Sequence, residues 1–311
     1  MPRNINVIAW GGIGDLVVCT PTLRAIKQTY PDARLVVYCC REEHRDVLLY
    51  NPHVDAIRLV NKKFLEGSAS RYLWKYPGDL LSALTDNNRK YYQLYFQHVP
   101  PTWLYTKSVK EIVPEIFEDL NITLDNTKVE VFFSPEEEEK ARNMLVQYNY
   151  NTIVLHIHSR ASRNHHWPHE NWEKLVCSMP EYTFVQVGHP DEPYVPGALD
   201  WRGKTSVREV YCLLKYSLSF LGVDSNFSHV TNAFDLPGVV LFGDSSPVYW
   251  GHDNNLNIYK AVNCSPCYYV LWNNPCPYDH RCMNSITVEE VRTAVALQAT
   301  AGRQRLALLL P

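Results

Sequence analysis

The stretch from Phe220 to Gly251, FLGVDSNFSHVTNAFDLPGVVLFGDSSPVYWG, restricts the fold more tightly than any other part of the chain. A short apolar run ends at Val223, and Asp224, Ser225 and Asn226 break it. Phe227 to Phe234 can wind into a helix that Pro237 and Gly238 stop. A second apolar run, Val239 to Phe242, then leads into a polar loop, Gly243 to Pro247. Strand, polar turn, helix, strand and polar loop are the repeating unit of an open parallel sheet. The turn and the loop leave the carboxyl ends of neighbouring strands, so both face one crevice. Free N–H groups at the start of the helix offer a phosphate site there. An ordinary strand–helix turn with a capping Asp has the same pattern, and this segment alone does not separate the two.

The same alternation runs through the rest of the 311 residues, a length that suits two domains. Ile5 to Trp10 is expected as a strand, Leu16 to Tyr30 as a helix and Leu35 to Tyr38 as a second strand, with the turn Gly11-Gly12-Ile13-Gly14-Asp15 between the first two. This layout invites the dinucleotide fingerprint, but the third glycine position is Val17, and Cys39 and Cys40 replace the acid after the second strand. Nicotinamide and flavin chemistry is thereby disfavoured. Asp15 instead opens the helix with glycines beside it that let a ligand approach the backbone. An acid in a first helical turn also stabilises the helix by roughly 0.3–1 kcal/mol with no catalytic role. Further on, Val54 to Val60, Tyr91 to Phe96 and Val129 to Phe133 read as strands. Helices are expected around Asp79 to Leu84, over Ser108 to Leu120 and from Pro135 to about Tyr148. Gln97 and His98 end one of those strands, and the acidic run Glu136 to Glu139 reads as a solvated face.

Asn149 to Asn151 is read as the joint, giving domains 1–149 and 150–311. A second set begins at once: strand Thr152 to Ile157, polar loop His158 to Pro168, helix Glu170 to Ser178, strand Tyr182 to Val187, loop Gly188 to Pro193 and helix Val207 to Tyr216. Thr287 and Glu290 form a capping box for a last helix reaching about Arg305. The fold expected is α/β, with two Rossmann-like domains facing a central cleft.

Several groups carry chemistry. In SRASRNHHWP, the side chains of Arg160, Arg163, His165 and His166 collect cations and donors at a strand's carboxyl end, where a diphosphate would lie. Glu192, after a tight turn, suits ribose hydroxyls or plain surface. Thr205, just ahead of a helix, joins the donor-side candidates. Ser225 and His229 stand at i and i+4 and share a helix face. Nowhere do two aspartates flank a single residue, so the Asp-x-Asp metal clamp is absent. Charge on a bound diphosphate would then be met by backbone N–H groups and Arg, His or Lys side chains. Cys264, Cys267, Cys276 and Cys282 suit a structural zinc or iron site, packed free thiols or two disulfides. A formal net charge of −3 makes no general case for nucleic acid or membrane. No run approaches the roughly 18 apolar residues of a membrane span. The N-terminus lacks a signal-peptide layout and nine cysteines are an odd number, so a cytoplasmic location is expected.

Taken together, these segments resemble glycosyltransferase family 9, the ADP-heptose:lipopolysaccharide heptosyltransferases. The likeness is carried by GGIGDLVVCTPTLRAIKQTYPDARLVVYC, by VLHIHSR through WPHENWEKLV, by the Asp224–Pro247 block and by CSPC…CPYDHRCM…ITVEEV. The resemblance implies a GT-B fold and metal-independent, inverting transfer of a sugar from a nucleotide-diphosphate donor, with no catalytic cofactor. It implies Asp15 as base, Asp224 and Ser225 at the diphosphate and sugar, His229 beside them and Glu192 at the ribose. Gly14 and Asn226 are counted with the donor contacts. Three positions depart from the family pattern: His165 replaces a lysine, Asn226 a glycine, and Asp244 puts an acid in the Phe-Gly loop. The acceptor is expected to be a lipopolysaccharide-type glycan. The alternatives are a protein, a modified nucleobase, or a protein that binds the donor without turnover.

Overall fold

The computed structural model describes residues 4–9, 11–39, 41–59, 91–94, 108–112, 120–267 and 274–310. The helix expected around Asp79 to Leu84, and Gln97 and His98, lie outside these residues. The chain packs as two units that meet in sequence at Phe132 and Phe133.

The first unit contains β1 (Asn4–Ala9), α1 (Ile13–Thr29), β2 (Arg34–Cys39), α2 (Glu42–Leu48), β3 (Ala56–Leu59), β4 (Tyr91–Leu94) and α3 (Val109–Ile112). Its four strands are parallel, in the order β3-β2-β1-β4. From Ile5 to Ala9 and from Leu35 to Cys39 every side chain is buried and all but Asn6 are apolar or aromatic, as in strands covered on both faces. β1 pairs with β2 on one side and β4 on the other, so strand order reverses at its edge with β4. That reversal is where a parallel sheet opens a crevice.

Helix α1 begins at Ile13, earlier than the apolar pattern suggests, because the Asp15 carboxylate turns back to accept from the Gly12 N–H at 2.6 Å. The alternation from Val129 to Phe133 does not enter a sheet. Val129 and Val131 are buried, while Glu130 is held by α1: its N–H donates to Thr20 Oγ1 at 2.9 Å and its carboxylate pairs with Arg24 at 2.9 Å. Contacts to a helix therefore take the place of a neighbouring strand.

The second unit continues with α4 (Pro135–Val146), β5 (Thr152–His156), a 3₁₀ turn (Arg163–His165), α5 (His169–Cys177), β6 (Thr183–Gln186), β7 (Leu199–Asp200) and α6 (Val207–Tyr216). It ends with β8 (Ser219–Val223), α7 (Asn226–Val230), a 3₁₀ turn (Thr231–Phe234), β9 (Gly238–Phe242), α8 (Pro247–Trp250), β10 (Asn255–Tyr259), α9 (Arg281–Asn284) and α10 (Val288–Leu309). All six strands are parallel, in the order β10-β9-β8-β5-β6-β7. The chain runs outward from β5 through β6 and β7, then returns to β8 and runs outward the other way. The reversal lies between β5 and β8. α10, capped by Thr287 accepting from the Glu290 N–H at 3.2 Å, closes the core through Val291, Val295, Ala299 and Leu306.

The joint expected at Asn149 lies earlier by packing. Glu137 accepts from Arg208 at 2.9 Å, Glu138 accepts from the Tyr216 hydroxyl at 2.8 Å and also pairs with Lys215, so α4 is fastened to α6. Part of the acidic run read as a solvated face is thus a helix–helix seam. No described helix is long and apolar enough to cross a membrane.

Candidate functional site

In the first unit the chain leaves β1 through Gly11 at φ +102°, and Asp15 stands third in α1, half-buried. A Cβ on Gly11 would come within 2.4 Å of Asp15 Oδ2, so the turn requires glycine both for its angle and for its closeness. Gly14 precedes Asp15 in the first helical turn. Beneath the turn lies His44 on α2, fully buried and facing the Gly11 and Gly12 backbone. Burial, with Arg41 adding to it, lowers its pKa to about 4. The capping role expected as the alternative for Asp15 is therefore present. It leaves a carboxylate at a helix start, beside the carboxyl end of a central strand.

In the second unit the reversal between β5 and β8 gathers the site. His156 ends β5 and pairs in register with Gly222, where a Cβ would meet the His156 carbonyl oxygen at 2.3 Å. With the strands this close, His156 Nδ1 lies 3.1 Å from Ser225 Oγ and its Nε2 lies 3.9 Å from Glu192 Oε2. Burial, reinforced by His158, pushes the His156 pKa down to about 3, and burial also raises that of Glu192. With its pKa at about 3, His156 is neutral at ordinary pH, so the 3.9 Å contact is not an ion pair. Glu192 folds over Gly188, which takes φ +132°, and its Oε1 accepts from the His189 N–H at 3.0 Å. Its Oε2 is buried with no hydrogen-bond partner among the described residues.

Asp224, at the end of β8, is 6% exposed. One carboxylate oxygen accepts from Ser245 Oγ at 2.6 Å, and the other lies 3.9 Å from His229 Nε2. His229 Nδ1 meets His252 Nε2 at 2.9 Å. The Asp224 carbonyl lies 3.2 Å from His165 Nδ1, and His165 Nε2 pairs with Asp244 Oδ1 at 2.7 Å. Ser162 donates to Asp244 at 2.6 Å. Burial opposes charge on both partners, but each outweighs it for the other. The carboxylate raises the pKa of His165, and the imidazolium lowers that of Asp244.

Asp224, Ser225, His229, His165 and Glu192 therefore gather around one turn, with His165 joined to it through the Asp224 carbonyl and Glu192 through His156 and Ser225. His165, expected at the donor, is 2% exposed with both ring nitrogens engaged inside the protein. Arg160 and Arg163 are exposed on the loop after β5. Asn226 turns its amide to the Tyr211 hydroxyl at 3.1 Å. Thr205 lies between β7 and α6, at the outer edge of the sheet. The four cysteines are free, and among the described residues no group of three or more His, Cys, Asp or Glu is disposed to hold a metal. Burial, with Asp244 and the neighbouring thiols adding to it, raises Cys267 to about 12, and burial raises Cys282 to about 11. Sequence reasoning missed His156, Ser162, Ser245 and His252. The signal was faint: His156 ends an apolar run, and only the adjacency of β5 to β8 makes it the link between Ser225 and Glu192.

A sequence model described as glycosyltransferase family 9 (heptosyltransferase) matches residues 195–272. Lipopolysaccharide heptosyltransferase 3 of Escherichia coli K12 is 22% identical over 287 residues, covering 76% of this chain and 81% of that protein. A family 9 glycosyltransferase from Veillonella parvula superposes with a TM-score of 0.74 at 15% identity, over 97% of this chain and 98% of that one. The ADP-heptose lipopolysaccharide heptosyltransferase II of Escherichia coli gives 0.71 at 16% identity, over 96% and 99%. The chain is a glycosyltransferase of GT-B architecture that resembles the heptosyltransferases of family 9.

Proposed function

We propose that the chain moves a sugar, heptose or a close relative, from a nucleoside-diphosphate donor to an acceptor hydroxyl, with inversion and without a catalytic metal. The observation that carries this reading is Glu192 Oε2: a buried carboxylate oxygen without a partner among the described residues, linked through His156 to the Ser225 turn. Buried acceptors are ordinarily satisfied, and a ribose hydroxyl is a donor of the right kind. Asp224 and Ser225 stand where the diphosphate and sugar would lie, at the sheet's switch point. Arg160 and Arg163, exposed on the neighbouring loop, carry the guanidinium chemistry that meets phosphate oxygens. The first unit takes the acceptor. Its hydroxyl oxygen attacks the anomeric carbon, the bond from that carbon to the diphosphate oxygen breaks, and the nucleoside diphosphate leaves with the electron pair. Asp15 accepts the hydroxyl proton. The relatives' names point to a lipopolysaccharide-type glycan as acceptor, and a cytoplasmic location fits a nucleotide-sugar donor.

The test uses ADP and ADP-heptose, each with and without EDTA. ADP at about 100 times its Kd should stabilise the protein by roughly 2.7 kcal/mol, unchanged by EDTA. Asp15→Asn should keep that shift and lose about 10²–10⁴ of the transfer rate to a lipopolysaccharide core acceptor. Turnover by Asp15→Asn at the wild-type rate removes the base assignment. The absence of a shift with any nucleoside diphosphate removes the donor site.

A further inference from the structure

We propose that His165 and Asp244 form a buried latch that positions the Asp224–Ser225 turn, and so set the affinity of the site for a nucleoside diphosphate without touching it. The inference rests on the donor-site reading above and adds a role for two residues that reading leaves without one.

The geometry is explicit. His165 is 2% and Asp244 1% exposed, and both ring nitrogens of the one and both carboxylate oxygens of the other face protein groups. His165 Nδ1 faces a carbonyl oxygen, that of Asp224, at 3.2 Å, and Nε2 faces a carboxylate oxygen of Asp244 at 2.7 Å. A carbonyl and a carboxylate only accept, so satisfying both requires a proton on each ring nitrogen. Asp244 is itself anchored by Ser162, whose hydroxyl donates to it at 2.6 Å. The chain of contacts thus runs from the loop after β5, through the loop after β9, to the peptide that follows β8. Ser245, next to Asp244, holds the Asp224 carboxylate at 2.6 Å. Backbone and side chain of Asp224 are therefore both tied to the Asp244–Ser245 pair. A buried pair of this kind is weak evidence for stability and better evidence for fixing one geometry.

The two residues also meet each other's need for a partner. A histidine alone at position 165 would leave a nitrogen unpaired, and an acid alone at position 244 would be a buried charge without a partner. Together each satisfies the other.

Four variants test the latch, with ADP affinity measured by calorimetry and folding checked by circular dichroism and thermal unfolding. Asp244→Asn can keep the two hydrogen bonds and replace the 2.7 Å ion pair by a neutral contact: the amide oxygen accepts from Ser162, the amide N–H faces Nε2, and Nδ1–H still donates to the Asp224 carbonyl. It should bind ADP within about threefold of wild type. His165→Ala and Asp244→Ala should each bind about tenfold more weakly, the worth of one buried hydrogen bond. Their double variant should be no weaker than either, because both remove one unit. His165→Asn, which keeps a donor toward the Asp224 carbonyl, should recover most of the loss and serves if His165→Ala does not fold. ¹⁵N spectra should show both His165 nitrogens protonated in the wild type and only Nδ1 in Asp244→Asn. Folded Ala variants with wild-type ADP affinity overturn the latch, as do Ala losses that simply add in the double variant. A wild type that binds no nucleoside diphosphate instead overturns the donor-site reading, and the latch with it.

Discussion

Two buried histidines in different units make acid stability a residue-specific prediction. The pKa of His44 falls from 6.5 to about 4 and that of His156 from 6.5 to about 3, in both cases mainly by burial. A depressed pKa means that the unfolded chain binds the proton first. Each residue's contribution is therefore complete above pH 6.5 and is lost as pH falls toward the folded value. At pH 5 the unfolded histidine is almost wholly protonated and the folded one almost wholly neutral, a difference of about 2 kcal/mol per residue relative to pH 8. His165, whose pKa is raised, works the other way between pH 8 and pH 5, but it is common to the wild type and both variants and cancels in the comparison. Urea unfolding of the wild type at pH 8 and pH 5, compared with His44→Asn and His156→Asn, isolates each term. Each variant should lose about 2 kcal/mol less than wild type between the two pH values, whatever its absolute stability. The two effects should appear on separate transitions if the units unfold separately. A pH dependence identical to wild type in either variant would refute the burial argument for that residue.

Two further outcomes follow from the first unit. Gly11→Ala places a methyl group 2.4 Å from Asp15 Oδ2 at a φ of +102°, so it should cost about 1–3 kcal/mol in unfolding measurements and displace the carboxylate. Transfer activity should fall with it while ADP affinity stays at the wild-type value. Arg24→Ala removes a buried guanidinium that pairs with Asp125 and Glu130, both at 2.9 Å, and donates to the carbonyls of Asn126 and Lys128. It should destabilise the first unit by about 3–5 kcal/mol in urea titrations.

Local patterns carried most of the strand and helix order. Continuous apolar runs such as Leu35 to Cys39 can satisfy their hydrophobic effect only as covered strands, and glycine- or proline-bounded turns mark where they stop. Asp224, Ser225 and His229 were legible because a strand–turn–helix segment places them within one turn of each other. The boundary of the second unit was not. Glu137 and Glu138 look like solvated acids until Arg208, Lys215 and Tyr216 arrive from a helix some seventy residues later. Val129 to Phe133 misled for a related reason: alternation reports burial on one face, not which element does the burying.

From its sequence alone this protein is two successive β/α sets with polar loops on the carboxyl side of their strands, because periodicity and turn chemistry are properties of neighbours in the chain. Which loops meet was decided by strand order. The reversal between β5 and β8 brings His156 to Ser225, and the β9 loop supplies Asp244 and Ser245 to the Asp224 turn. The charge states at the site were decided there too. Whether a histidine is neutral or an imidazolium depends on how much water is removed and which acceptors remain, and both are set by residues distant in sequence.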